Sequence, residues 1–290
     1  MLENVLVIGK NGQLAIEIKH CYQNKYNFIF KGKEEIDLQD EENLHKIINE
    51  NNIKIIINCA AYTAVDLAES EIEKADILNY KCVEILAKLA KQYELKFVHI
   101  STDYVFDGKT NTPYNENDET NPLGIYGKTK LKGEQAIMEV TPKNTIIIRT
   151  SWLYSSYGKN FVKTMQNLGR QRKELRVVFD QIGSPTYARD LAETILNILP
   201  VIQNEKPEIY HYSNEGVASW YDFTKEIMKI SQIDCNVKPI ESKDFPTLAS
   251  RPSYSVLNKQ KIKEKFHIEI PYWKDSLEKC ISILQKGDIL

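Results

Sequence analysis

Tyr126 and Lys130, in the segment Tyr-Gly-Lys-Thr-Lys, stand four residues apart. On a helix such a pair shares one face, stacked one turn apart. A phenol ordinarily titrates at about 10, too high for ready proton exchange at neutral pH. An ammonium beside it favours the phenolate and lowers that value. The pair therefore reads as a general acid/base tuned toward working pH, and the same lysine can hold the hydroxyls of a nicotinamide ribose. A second element is Ser101-Thr102-Asp103-Tyr104, at the end of the apolar run 97–100. A hydroxyl there can bond a substrate carbonyl oxygen together with Tyr126; turn formation or helix capping is the alternative use of such a Ser-Thr pair. A third element is Gly9-Lys10-Asn11-Gly12-Gln13-Leu14-Ala15, directly after the apolar run 2–8. Gly9 permits a tight turn, Gly12 lets backbone approach a diphosphate, and Ala15 is small enough for close helix packing. The helix that follows would face the anion with its unpaired N–H groups.

These groups need a scaffold. Apolar runs at 2–8, 26–30, 53–58, 97–100 and 145–149 alternate with helical patterns at 12–24, 40–51, 71–93 and 124–139. Strands apolar on both faces, alternating with helices, call for a doubly wound parallel sheet covered on each side. Beyond residue 150 the rhythm continues as helix 159–171, strand 174–179 and helix 187–199. The stretches 205–215, 232–256 and 266–273 are instead rich in Pro, Asn, Ser and Lys, with short elements between them. The expected fold is α/β: a doubly wound parallel Rossmann sheet with a smaller C-terminal α/β substrate lobe. Its expected units are 1–214, the cofactor-binding domain, and 215–290, the lobe, with part of 153–171 assignable to either.

The second strand ends in Lys31-Gly32-Lys33, with no carboxylate where a ribose 2′-hydroxyl would be held. Two lysines suit a 2′-phosphate, which favours NADPH with NADH as the alternative; simple solvation of both lysines is the other reading. Asp37 and Leu38 are placed to flank an adenine. The charge balance, 38 basic against 40 acidic residues among 290, argues against a broad polyanion-binding surface, and so against nucleic acid as partner. The longest apolar runs, 53–57 and 145–148, are far below the ~20 residues of a membrane helix. The N-terminus lacks a basic-then-apolar leader, so a cytoplasmic location is expected. Five cysteines with no CxxC spacing read as free thiols rather than a disulfide or metal framework.

Together these motifs resemble the extended short-chain dehydrogenase/reductase family, and within it the reductases of dTDP-linked 4-keto-6-deoxyhexoses. The resemblance runs through GKNGQLA (9–15), NCAAYTAVDLAES (58–70), STDYVFDG (101–108), YGKTKLKGE (126–134), IIRTSWLY (147–154), DQIGSPTYARDLA (180–192) and RPSYSVL (251–257). It implies hydride transfer from NAD(P)H to the C4 keto carbon, with dTDP-L-rhamnose as product and cell-surface polysaccharide as destination. In those terms Tyr126 is the proton donor, Lys130 tunes it and holds the ribose, and Thr102 orients the keto group. Gly12, Gln13 and Leu14 touch the diphosphate; Ala61, Tyr62 and Thr63 line the adenosine and ribose side. Asp103, Tyr104 and Trp152 meet the sugar nucleotide, and Arg149 and Arg251 are candidates for the nucleotide or its diphosphate.

A homodimer bridged by Mg²⁺ through glutamates is also raised by the resemblance. Glu17 matches one such ligand, but Arg189-Asp190 breaks the carboxylate set, and no catalytic metal is expected. Dehydratases of the same fold carry an acidic pair after the threonine, absent at Asp103-Tyr104. A reductase of another 4-keto-6-deoxy sugar nucleotide stays open. So does a non-catalytic regulatory subunit, against which the intact Tyr126, Lys130 and Thr102 argue.

Overall fold

The computed structural model describes residues 2–21 and 25–287. From the N-terminus, β1 (Glu3–Ile8), α1 (Gln13–Cys21), β2 (Tyr26–Lys31), α2 (Glu41–Glu50) and β3 (Ile53–Asn58) alternate. Residues 22–24 of the expected first helix lie outside the described residues. Two short helices, α3 (Val65–Ala68) and α4 (Ile72–Asp76), lead through a π-turn at Ile77–Lys81 into α5 (Cys82–Gln92). Then follow β4 (Lys96–Thr102), α6 (Ile125–Val140) and β5 (Thr145–Thr150).

The remaining elements divide between two bodies. β6 (Leu153–Tyr154), α7 (Phe161–Gln171), β7 (Glu174–Val178), β8 (Ile182–Gly183) and β9 (Thr186–Tyr187) precede α8 (Ala188–Ile198) and β10 (Glu208–His211). β11 (Ala218–Ser219), α9 (Trp220–Ile230), β12 (Asn236–Ile240), α10 (Gln260–Phe266) and α11 (Trp273–Lys286) complete the chain.

Six strands form one parallel sheet in the order β10-β5-β4-β3-β1-β2. The chain winds outward from β1 to β2 and returns through α2 to β3 on the other side, so a crevice opens at the carboxyl ends of β1 and β3. Alternate residues of each strand enter opposite cores. Val5 and Val7 pack with Leu14 and Ile18 of α1 and Leu191 and Ile195 of α8. Leu6 and Ile8 pack with Leu44 and Ile48 of α2, Val83 and Leu86 of α5 and Ile137 of α6. Burial on both faces is why these strands read as unbroken apolar runs.

Two strand assignments differ from the rhythm of the sequence. β7 leaves the central sheet and pairs in parallel with β12, Leu175 beside Val237. The sixth central strand is β10, inside the stretch 205–215 that reads as irregular, and it pairs with β5, Tyr210 beside Ile148. A third core joins Val162, Leu175, Val177 and Tyr187 to Phe223, Ile227, Trp273, Leu277 and Ile281. Residues on both sides of position 215 thus share it, while Ile262 and Ile270 return to the sheet's own core. Among the described residues, no helix is long and apolar enough to cross a membrane.

Candidate active site

The turn after β1 is built by close approach. Gly9 has φ +89°, and a Cβ there would stand 2.8 Å from the Ala60 backbone nitrogen. The N–H groups of Gly9 and Lys10 donate to the Lys31 carbonyl at 2.9 and 3.1 Å, which ties the turn to the end of β2. A cavity of about 480 Å³ opens beside it, lined by Gly9, Asn11, Gly12, Lys33, Asp37, Leu38 and Ala61 among others. Of the expected cofactor residues, Gly9, Gly12, Asp37, Leu38 and Ala61 line this cavity; the lysine that lines it is Lys33 rather than Lys31. The Leu14 side chain is buried in the core, leaving its backbone N–H at the start of α1. Gln13 accepts from Asn160 Nδ2 at 2.9 Å. Thr63 is exposed on the loop after β3.

One acid escaped the sequence reading. Glu35 accepts from Lys10 Nζ at 2.5 Å and from the Gly32 N–H at 2.7 Å. The Lys10 hydrogen bond, then that of Gly32, holds its carboxyl below the usual range. Its position, four residues past the end of β2, hid it from a search at the strand end itself.

Across the crevice, α6 lies close against the end of β4 because two of its residues have no side chain. A Cβ on Gly127 would stand 2.2 Å from the Tyr104 carbonyl, and one on Gly133 2.2 Å from the Asn79 carbonyl. This seats Tyr126 edge-on to Tyr104, ring centroids 5.7 Å apart. Thr102 Oγ1 accepts from the Tyr104 N–H at 3.2 Å and donates to Asp103 Oδ1 at 3.0 Å. Burial pushes the Tyr126 phenol up to about 12, against a hydrogen bond with Thr102 that pulls it down. A phenol there keeps its proton at neutral pH and is a donor.

Lys130 is buried, and burial lowers its ammonium to about 8. Its Nζ donates to the Ile100 carbonyl at 2.6 Å and lies 3.2 Å from His99 Nε2. Asp103 is also buried, and its Oδ2 has no hydrogen-bond partner. Burial raises this carboxyl to about 6, with the Ser255 and Thr102 hydroxyls pulling the other way.

The π-turn joins the two halves of the crevice. Asn79 Oδ1 accepts the Tyr62 N–H at 2.8 Å, and its Nδ2 donates to Thr129 Oγ1 of α6 at 3.1 Å. The Tyr62 hydroxyl donates to Glu71, which raises the phenol. An asparagine on the buried stripe of an otherwise amphipathic helix is the signal in the sequence; a regular helix over 71–93 misses the turn that presents it.

The remaining candidates divide. Trp152 has φ +48° and stacks on Trp220, centroids 3.5 Å apart and planes 7° apart. A Cβ on Gly183 would stand 2.7 Å from the Trp152 ring. Arg251 grips Asp66 through Nη2 at 2.7 Å and Nη1 at 3.2 Å, and that pairing draws Asp66 below its ordinary value. Tyr104 lies close enough to Arg251 to favour its charge, which brings the guanidinium beside the Tyr126 end of the crevice. Arg149 is turned into the protein. It is buried, with Nη2 2.7 Å and Nε 2.9 Å from the Glu134 carboxylate and Nη1 on the Glu116 carbonyl. Its fork is spent on a carboxylate inside the protein. Glu17 is likewise engaged, by Ser155 Oγ at 2.5 Å and Arg189 Nε at 3.1 Å. All five cysteines are free.

Comparisons with known proteins follow the same outline. The family model described as RmlD substrate binding domain matches residues 3–286. The chain is 39% identical over 281 residues to the spore coat polysaccharide biosynthesis protein SpsK of Bacillus subtilis (strain 168), covering 97% of each. It superimposes on a dTDP-4-dehydrorhamnose reductase of Clostridium acetobutylicum with TM-score 0.92 and 40% identity, over 97% of this chain and 99% of that one. For the dTDP-4-dehydrorhamnose reductase of Bacillus anthracis in complex with NADP, the TM-score is 0.93 and the identity 37%, with the same coverage.

Proposed function

We infer the activity from one premise: the chain belongs to the RmlD substrate binding domain family, whose model spans residues 3–286. It is an NADPH-dependent oxidoreductase that reduces the C4 keto group of dTDP-4-dehydro-L-rhamnose to give dTDP-L-rhamnose. The single observation that carries this reading is the arrangement of Tyr126, Thr102 and Lys130 at the carboxyl end of β4, across the crevice from the Gly9–Gly12 cavity.

The residues present fit the cofactor. Gly9 keeps open a space that a Cβ would fill, and the first turn of α1 offers unpaired N–H groups for a diphosphate. Asp37, Leu38 and Ala61 bound the adenosine side, Tyr62 and Thr63 follow on the same loop, and Lys33 lines the cavity where a 2′-phosphate is to be held. When bound, NADPH supplies the hydride.

The chain's own residues do the rest. Tyr126 directs its hydroxyl at the keto oxygen, where negative charge develops, and Thr102 joins it by turning its one hydroxyl proton away from Asp103 Oδ1; donors aimed at such charge are often the largest single catalytic contribution. Tyr126 then delivers its proton to that oxygen. Asp103 offers its unpartnered Oδ2 to a sugar hydroxyl. Trp152, braced on Trp220, gives the sugar nucleotide a flat apolar wall. Arg251 offers its guanidinium to phosphate oxygens by exchanging its pairing with Asp66. The test is to incubate the purified chain with dTDP-4-keto-6-deoxyglucose, the epimerase that precedes this step, and NADPH or NADH. The expected product is dTDP-L-rhamnose with stoichiometric cofactor oxidation; no reduced sugar with either cofactor overturns the reading.

A further inference from the structure

A buried chain of three side chains runs beneath the crevice and ends on Lys130; the other two, Asn58 and His99, have no role in the chemistry just described. Asn58, at the end of β3, directs Nδ2 at His99 Nδ1 across 3.2 Å. His99, fully buried in β4, directs Nε2 at Lys130 Nζ across 3.2 Å. The orientation of Asn58 is set from its other end, where Oδ1 accepts the Ala60 N–H at 3.1 Å. Asn58 therefore presents N–H, not oxygen, to the ring.

The donors and acceptors do not balance with every charge state. A neutral imidazole carries one N–H and one lone pair. If Lys130 is an ammonium, both neighbours of the ring are donors, and the ring's own N–H must face one of them. With Nδ1–H, it faces the Asn58 amide and that contact is lost. With Nε2–H, Nδ1 accepts from Asn58, and Nζ must offer a lone pair, as an uncharged amine does. A doubly protonated ring would face a donor on both sides.

We propose that His99 is a positioning residue for Lys130: the charge on Nζ and the tautomer of the His99 ring change together, and Asn58 favours the tautomer that accompanies the uncharged amine. The proton count closes. When the pair loses a proton, the one on Nζ passes to Nε2 as the one on Nδ1 leaves, and a single proton is released. The groups that face Lys130 are His99 Nε2 and the Ile100 carbonyl from β4, and Glu134 from its own helix, which favours the ammonium. Burial and the nearby Lys130 both hold the His99 ring well below its ordinary value, consistent with a ring that changes tautomer rather than charge. The proposal rests on the reductase reading for its role in the reaction, in which Lys130 serves Tyr126.

The test reads the ring directly. ¹⁵N-histidine NMR of the full-length chain is followed between about pH 6 and pH 10, a range spanning the ordinary imidazole and ammonium values. The His99 signals are assigned by their loss in His99→Gln. Wild type is expected to pass from Nδ1–H to Nε2–H with rising pH, and the high-pH limb of kcat/KM should share that midpoint. Asn58→Asp keeps an oxygen for the Ala60 N–H but turns a donor to an acceptor, and adds a negative charge. It should hold the Nδ1–H tautomer and move both midpoints up by about 1–3 pH units. A single tautomer across the range, an imidazolium forming near the ordinary value, or an unmoved midpoint in Asn58→Asp overturns the proposal. If wild type reduces no keto sugar, the reductase reading fails while the NMR result still decides this one.

Discussion

Replacing Glu134 by Gln removes the one counter-charge that Arg149 has among the described residues. The side chains of Arg149 and Glu134 are 3% and 2% exposed. Glu134 takes two hydrogen bonds from the Arg149 fork, at 2.7 and 2.9 Å, and one from Ser101 Oγ at 2.5 Å. What is left to Arg149 is the Glu116 carbonyl at 3.3 Å and the edge of His211, a ring that burial lowers to about 3 and so keeps neutral. Breaking a buried pair by removing one partner costs roughly 3–5 kcal/mol, because the surviving charge stays buried and unpaired. Against a typical total stability of roughly 5–15 kcal/mol, that is a large fraction. Glu134→Gln should therefore unfold at a markedly lower urea concentration, followed by tryptophan fluorescence. The double variant Glu134→Leu/Arg149→Met removes both desolvation costs and should recover most of the loss. A single variant within about 1 kcal/mol of wild type would refute the reasoning, as would a double variant less stable than either single one. The same measurement separates a structural Arg149 from one that holds a nucleotide. In the second case Glu134→Gln would alter ligand affinity and spare stability.

Tyr126→Phe should slow the chemical step by about 10²–10⁴-fold while NADPH affinity is retained; single-turnover reduction as fast as wild type would remove Tyr126 as the proton donor. Gly133→Ala gains about 1 kcal/mol of helix propensity yet should lower both the thermal midpoint and kcat, because its Cβ would stand 2.2 Å from the Asn79 carbonyl. Unchanged values would show that the π-turn does not seat α6. Asp103 is raised in the fold from 3.8 to about 6, so its carboxyl stabilises the fold below about pH 4, a contribution lost as pH rises through about 6. The difference corresponds to about 3 kcal/mol. Asp103→Asn, neutral throughout, should accordingly resist urea better than wild type at pH 8, differ little at pH 4, and raise the sugar-nucleotide KM; a stability difference independent of pH refutes this.

Local chemistry made legible what local rules decide. Strands buried on both faces announce themselves as apolar runs, and only glycine suits the φ of +89° beside Ala60. Tyr126 and Lys130 follow from the pitch of one helix. Partner choice across the chain was not legible. β7 and β10 are both short runs; β10 joins β5, while β7 pairs with β12 beside the third core, where α7 and α9 meet. Arg149 has the fork a phosphate wants, and nothing near it in sequence says that Glu134, 15 residues earlier on α6, will take it first. The expected depression of Tyr126 by Lys130 gives way to a rise caused by burial, which no spacing encodes, and the group that opposes the rise is Thr102.

A physical signal nonetheless ran through the residues that were missed. Asn58, Asn79, His99 and Glu134 are polar side chains that the fold buries. Each is buried at a cost that only a specific partner offsets. The partners found are a cofactor-side loop for Asn58 and Asn79, the lysine for His99, and Arg149 of β5 for Glu134. All four lie at or directly beneath the crevice. In these four cases a buried polar residue points to this site. It marks where the fold has given up packing for position, which is where sequence and structure conflict most usefully.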